Sequence, residues 1–126
     1  MNNIRLENIT PILSVTDMAR SVAFYVEVLG FTQADWGDGT FTSVGRDNTG
    51  LYLCKGGQGC RGTWVWIGFD GDIFELYRRL KLKGVPIRLE PTNFSWAYEM
   101  QVEDPDGHVL RFGTDPNRDE PFADSV

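Results

Sequence analysis

The chain repeats itself. The stretch "TPILSVTDMARSVAFYVEVLGF" at 10–31 and the stretch "WVWIGFDGDIFELYRRLKLKGV" at 64–85 follow one plan at an offset of 54 residues. Each opens as an apolar strand, breaks at aspartate, runs on as an amphipathic helix and ends on glycine plus an apolar residue. Ala19 aligns with Ile73, Val22 with Leu76 and Val26 with Leu80. Gly30 and Gly84 fall where a helix ends in the left-handed conformation. Asp17 or Thr16 can cap the first helix, whose face is read as Ala19, Val22, Tyr25, Val26 and Leu29. Asp70 or Asp72 can cap the second, with Ile73, Leu76, Tyr77 and Leu80 as its stripe.

Three strand patterns follow each helix. They are "FTQADWG", "TFTSVGR" and "GLYLCKG" in the first half, and "VPIRLE", "SWAYEMQVE" and "HVLRFG" in the second. The turns "GDG" (37–39), "DNTG" (47–50) and "DPDG" (104–107) join neighbours as hairpins. Each half therefore reads βαβββ. The predicted fold class is α+β, with two βαβββ repeats forming curved mixed four-stranded sheets. The expected organisation is one domain over 1–126, with repeat one at about 8–55 and repeat two at about 62–113. "GGQGCRG" (56–62) is the linker between them. The polar, acidic tail 114–126 is expected to be loose or draped over the surface.

Charge narrows the partners. The net charge of −6 argues against nucleic acid, which needs a basic patch. The basic run "YRRLKLKG" at 77–84 reads as the solvated side of its helix. No apolar stretch approaches the ~20 residues of a membrane span, and "MNNIRLENIT" has no apolar leader region, so a cytoplasmic location is expected. Cys54 and Cys60 match no zinc or redox motif and are expected as free thiols. His108, the single histidine, follows the turn glycine and is expected to be exposed. One histidine leaves little room for a nucleophilic triad or a multi-histidine metal site.

With the signatures "ITPILSVTDMARSVAFYVEVLGF" and "YEMQVEDPDGHVLRF", this arrangement resembles the vicinal oxygen chelate superfamily. That superfamily holds glyoxalase I, extradiol dioxygenases, fosfomycin-resistance enzymes and bleomycin-resistance proteins. The resemblance covers roughly residues 8–113. It implies two curved sheets forming a cup around a ligand, and a homodimer. Its metal enzymes carry His, Glu or Gln at four strand positions. Here those positions fall on Thr10, Cys54 (or Tyr52 with a register slip), Trp64 and Arg111. Arginine donates only and cannot ligate a cation, and tryptophan offers no lone pair. The resemblance therefore points to the metal-free bleomycin-resistance or mitomycin-binding proteins, with no metal and no cofactor.

Strand alternation then suggests a lining. Thr10, Ile12 and Ser14 share a face, as do Trp64 and Trp66. Pairing Glu103 with His108 places Arg111 opposite Met100 and puts Trp96, Tyr98, Met100 and Arg111 on one face. Pairing Arg46 with Leu51 puts Phe41 and Ser43 beside Cys54. The candidate ligand-binding residues are Trp36, Phe41, Cys54, Trp64, Trp66, Trp96, Tyr98, Met100 and Arg111. Aromatic rings with a few polar points suit a flat, conjugated ligand. Each residue also has a plainer reading. The strand aromatics are core or dimer interface, Trp36 is a hairpin residue, Cys54 is a small buried hydrophobe, and Arg111 pairs with Glu99 or Glu90. No nucleophile–base pair is visible and no catalytic residue is assigned. The expected function is sequestration of a small molecule, a cationic antibiotic of the bleomycin type drawn by the acidic surface. The alternatives are a metal-dependent lyase or dioxygenase of the same superfamily, or a binding module for another metabolite.

Overall fold

The computed structural model describes residues 3–125. The chain forms two compact units, Met1–Gly59 and Cys60–Val126. Among the described residues, no helix is long and apolar enough to cross a membrane.

The first unit runs β1 (Ile12–Ser14), α1 (Met18–Ala23), a π-helical turn (Phe24–Val28), β2 (Thr32–Gly37), β3 (Phe41–Arg46) and β4 (Thr49–Cys54). Its four-stranded sheet has the order β1-β4-β3-β2. β1 lies parallel to β4, and the other pairs are antiparallel. A parallel neighbour needs a crossover, and the helix supplies it. Asp17 caps α1, its side chain accepting the Arg20 N–H at 3.0 Å. The buried stripe is Met18, Ser21, Phe24, Tyr25 and Leu29. Ala19 is exposed, so the face expected from the sequence is rotated by one residue. Both stripes are largely apolar at helical spacing, and packing against Leu13, Val44, Leu51 and Leu53 selects the one that carries Met18 and Phe24.

The second unit repeats the plan: β5 (Trp64–Gly68), α2 (Ile73–Leu82), β6 (Ile87–Asn93), β7 (Tyr98–Glu103) and β8 (Val109–Thr114), with sheet order β5-β8-β7-β6. β5 lies parallel to β8. Asp72 caps α2, accepting from the backbone N–H groups of Phe74 and Glu75. Asp17 and Asp72 therefore correspond, which brings Met18 into line with Ile73 and Tyr25 with Leu80. This is one residue away from the offset read from sequence. Ile73, Leu80, Val85, Met100, Val102, Leu110 and Phe112 form the core. Burial stabilises each such side chain by about 2 kcal/mol.

Two hairpins decide what faces outward. Between β3 and β4, Arg46 pairs with Thr49 rather than Leu51. Asp47 takes φ 54 in a two-residue turn, as a tight primed hairpin requires. The shift is two residues, so Phe41, Ser43 and Cys54 still share a face. Between β7 and β8, Glu103 pairs with Val109 rather than His108. His108 belongs to the turn: Asp104 accepts the backbone N–H groups of Asp106 and His108 at 3.0 and 2.9 Å. That shift is one residue, and it exchanges the faces. His108 is fully buried, not exposed. Its Nδ1 accepts the Thr63 N–H at 3.0 Å.

The tail is fastened rather than loose. Asn93, buried at the end of β6, donates its amide to the Asn117 and Pro121 carbonyls and accepts the Asn117 N–H. The Asn93 carbonyl also accepts the Ala123 N–H at 2.8 Å.

Candidate functional site

The open face of the second unit's sheet carries two rows of side chains. In one row Trp66 pairs with Arg111, which pairs with Gln101. In the next, Trp64 pairs with Val109, which pairs with Glu103. Arg111 lies over the Trp66 ring, its Cζ 5.1 Å from the ring centre. Arg88 lies over Trp64 in the same way at 5.0 Å and meets Glu103 at 3.3 Å. Each guanidinium is thus held between an indole and a carboxylate, a geometry that suits its planar, weakly hydrated charge.

Glu99 organises the first of these groups. It is 1% exposed. Its Oε2 accepts Arg111 Nε at 3.0 Å and Gln101 Nε2 at 3.4 Å. Its Oε1 accepts Arg111 Nη2 at 2.8 Å and Trp96 Nε1 at 2.9 Å. A carboxylate offers about four acceptor positions, and here all are taken. Burial pushes the Glu99 carboxyl up. The hydrogen bonds from Arg111, Trp96 and Gln101 and the Arg111 charge outweigh it and leave the group below its usual range. The same hydrogen bond from Arg111 to Glu99 raises the guanidinium's own value.

Two tryptophans are fixed by this network and still present surface. The Trp66 ring occupies the space over Gly113, where any Cβ would collide with it. It remains 48% exposed. Trp96 stacks on Phe94, with ring centres 4.6 Å apart and planes 6° from parallel, while its indole N–H is spent on Glu99. Trp96 is 56% exposed and sits in the corner between β6 and β7, not in a strand.

Other expected residues lie elsewhere. Met100 is fully buried on the core side, paired with Phe112, because the turn at 104–108 moved the register by one. Tyr98 points to that side too. Its ring packs edge-on against Phe74 at 5.5 Å, and its hydroxyl donates to Glu120 Oε2 at 3.2 Å. Burial, then the Glu120 hydrogen bond and charge, raise the Tyr98 hydroxyl. Neither residue joins Arg111. Of the two expected acidic partners for Arg111, Glu99 is the one engaged. Glu90 instead accepts the Tyr77 hydroxyl.

On the first unit's sheet, Phe41, Cys54 and Trp36 do share a face. Trp36 stacks near Phe41 at 6.2 Å, and Tyr52 completes the group at 5.9 Å from Trp36 and 5.3 Å from Phe41. Tyr52 is two residues from Cys54, so strand alternation already places it there. Cys54 is buried and its thiol donates to the Gly56 carbonyl at 3.1 Å. The sequence reading also passed over Gln101 and Phe94. They carry no motif, and only the register and the corner bring them to Glu99 and Trp96.

The Glyoxalase/Bleomycin resistance protein/Dioxygenase superfamily profile matches residues 5–112. The chain belongs to this superfamily. No curated protein matches its sequence. Among solved structures it is similar to TnmS3, an antibiotic binding protein from Streptomyces sp. CB03234, at 25% identity and TM-score 0.75, covering 90% of this chain and 100% of that one. It is similar in fold to a bleomycin-binding protein from Streptomyces verticillus, solved with copper(II)-bleomycin, at 24% identity and TM-score 0.70, covering 90% and 99%. It is similar in fold also to a lactoylglutathione lyase from Agrobacterium tumefaciens, at 18% identity and TM-score 0.70, covering 86% and 94%.

Members of the superfamily include metal enzymes, so the donor set here matters. Thr10 lies ahead of β1 with its hydroxyl on Asn8. Cys54 is spent on a carbonyl, Trp64 has no lone pair, and Arg111 is a cation. The nearby carboxylate of Glu99 is saturated. Among the described residues no group of three or more His, Cys, Asp or Glu side chains can hold a metal ion. The residues present do not fit one.

Proposed function

We propose that this superfamily member binds a planar, oxygen-bearing small molecule and sequesters it unchanged, with an antibiotic of the bleomycin type as the leading class. The observation that carries this reading is the state of Arg111. Its charge is balanced by a carboxylate with no acceptor to spare, and its side chain is still 34% exposed beside Trp66. The guanidinium N–H groups that Glu99 does not use are free to meet a ligand carbonyl, carboxylate or hydroxyl. Trp66 and Trp96 offer flat apolar surface for a conjugated ring system. The net charge of −6 favours the approach of a ligand that also carries cationic groups. Nothing on this face pairs a nucleophile with a base, so the ligand leaves as it arrived.

The reading includes a cytoplasmic homodimer, which light scattering and cell fractionation test. Binding is tested by tryptophan fluorescence titration with bleomycin and with mitomycin, with and without chelator, on protein of measured metal content. Saturable quenching indifferent to chelator is expected. A stoichiometric transition metal needed for binding, or no response to either drug, overturns the antibiotic assignment.

A further inference from the structure

The C-terminal segment does more than cover surface. It grips the corner that carries Trp96 on several sides. Asn93 enters the corner and is tied through its amide and its carbonyl to Asn117, Pro121 and Ala123. Ser95, the residue before Trp96, donates its backbone N–H to Asp124 Oδ1 at 2.8 Å and its hydroxyl to Asp124 Oδ2 at 2.7 Å. Tyr98, just past the corner, donates to Glu120, which also accepts Asn117 Nδ2 at 3.0 Å. Within the corner only one backbone bond closes the chain, from Phe94 N–H to the Ala97 carbonyl at 3.0 Å. The tail's bonds add to this one and to the Asn93–Tyr98 ladder pair at the base of the corner.

We propose that residues 117–124 form a clamp that sets the position of the Trp96 indole, with Asn93, Ser95, Asp124 and Glu120 as positioning residues. The indole reaches Glu99 only if the corner holds Ser95 and Phe94 where they stand. Phe94 must lie under the ring and Ser95 must aim the following residue along the sheet. Through Trp96 the clamp also completes the shell around the Glu99–Arg111 pair. The segment thereby tunes the face on which Arg111 lies, although Arg111 gives its hydrogen bonds to Glu99. Its consequence for binding rests on the function proposed above, but the clamp itself does not.

The test is the exchange rate of the Trp96 indole N–H, followed by NMR in the full, ligand-free chain. Asp124→Ala removes both Ser95 bonds at an exposed position and leaves the core untouched. It is expected to speed Trp96 exchange about fivefold to tenfold, with Trp36 and Trp64 unchanged. Asp124→Asn, which keeps one acceptor, recovers part of the effect. Asn93→Leu removes the buried anchor and is expected to act more strongly. Unchanged Trp96 exchange in both Asp124→Ala and Asn93→Leu overturns the clamp. Drug titration of the same proteins separates the two inferences. A faster indole with weaker bleomycin or mitomycin binding supports both. A faster indole in a protein whose unaltered form binds neither drug upholds the clamp and removes only the antibiotic assignment.

Discussion

Glu99 shows how much a single residue can decide. A carboxylate that is 1% exposed would be costly without partners, yet it receives four hydrogen bonds, two of them from one guanidinium. Removing one member strands the other. Arg111→Ala is expected to lower stability by about 3 kcal/mol in urea unfolding, the low end for a buried pair because Arg111 itself is partly exposed. The double change Arg111→Met with Glu99→Met should recover most of that loss while still abolishing the proposed drug binding. A loss of binding in Arg111→Ala alone would thus report stability as well as contact, and the double variant separates them. Gly113 matters for the opposite reason. Its missing side chain is the floor on which Trp66 lies. Gly113→Ala should lift that indole, change the near-ultraviolet circular dichroism and weaken the proposed quenching by bleomycin or mitomycin several-fold. An unchanged aromatic spectrum would mean that Trp66 finds its place without this floor.

At the scale of elements, the turns govern the faces. Strands β7 and β8 are legible from their alternation, but alternation is the same for both ways of facing. The choice lies in whether four or five residues make the turn. Asp104 makes it five by accepting from both Asp106 and His108, and His108 then fits into the interior on the Thr63 N–H. Met100 and Tyr98 moved from the expected site to the core side for this reason alone. In β3–β4 the turn also differed from expectation, but by an even number, so Phe41 and Cys54 stayed together. The helices were easier, because a capping aspartate marks each start. Asp72→Ala should cost about 1 kcal/mol in the same unfolding measurement, since it frees the N–H groups of Phe74 and Glu75 at once.

For the molecule as a whole, several carboxylates are held in their charged form by native contacts. Glu99 and Asp124 both lie below their ordinary values of 4.5 and 3.8, the second through hydrogen bonds from the Ser95 hydroxyl and backbone. A depressed folded value contributes stability above the ordinary value, lost as pH falls through the folded one. Urea midpoints should therefore hold steady at neutral pH and fall once the pH drops below about 4.5, with Glu99→Gln flattening that fall. The internal repeat, with its glycine stops, capping aspartates and turn-bounded strands, determined by itself that the chain builds two βαβββ units. It also determined that Trp64, Trp66 and Arg111 lie in strands, because local periodicity and turn chemistry act over a few residues; that these two strands are paired is a long-range outcome. Tertiary structure alone decided which of two apolar helix stripes is buried, which face Arg111 shares, and that Trp96 and Gln101 meet on Glu99. It alone decided that the tail returns to Asn93. Those outcomes depend on turn length and on contacts between residues far apart in the chain, where side-chain packing and hydrogen-bond geometry, not local preference, set the lower free energy.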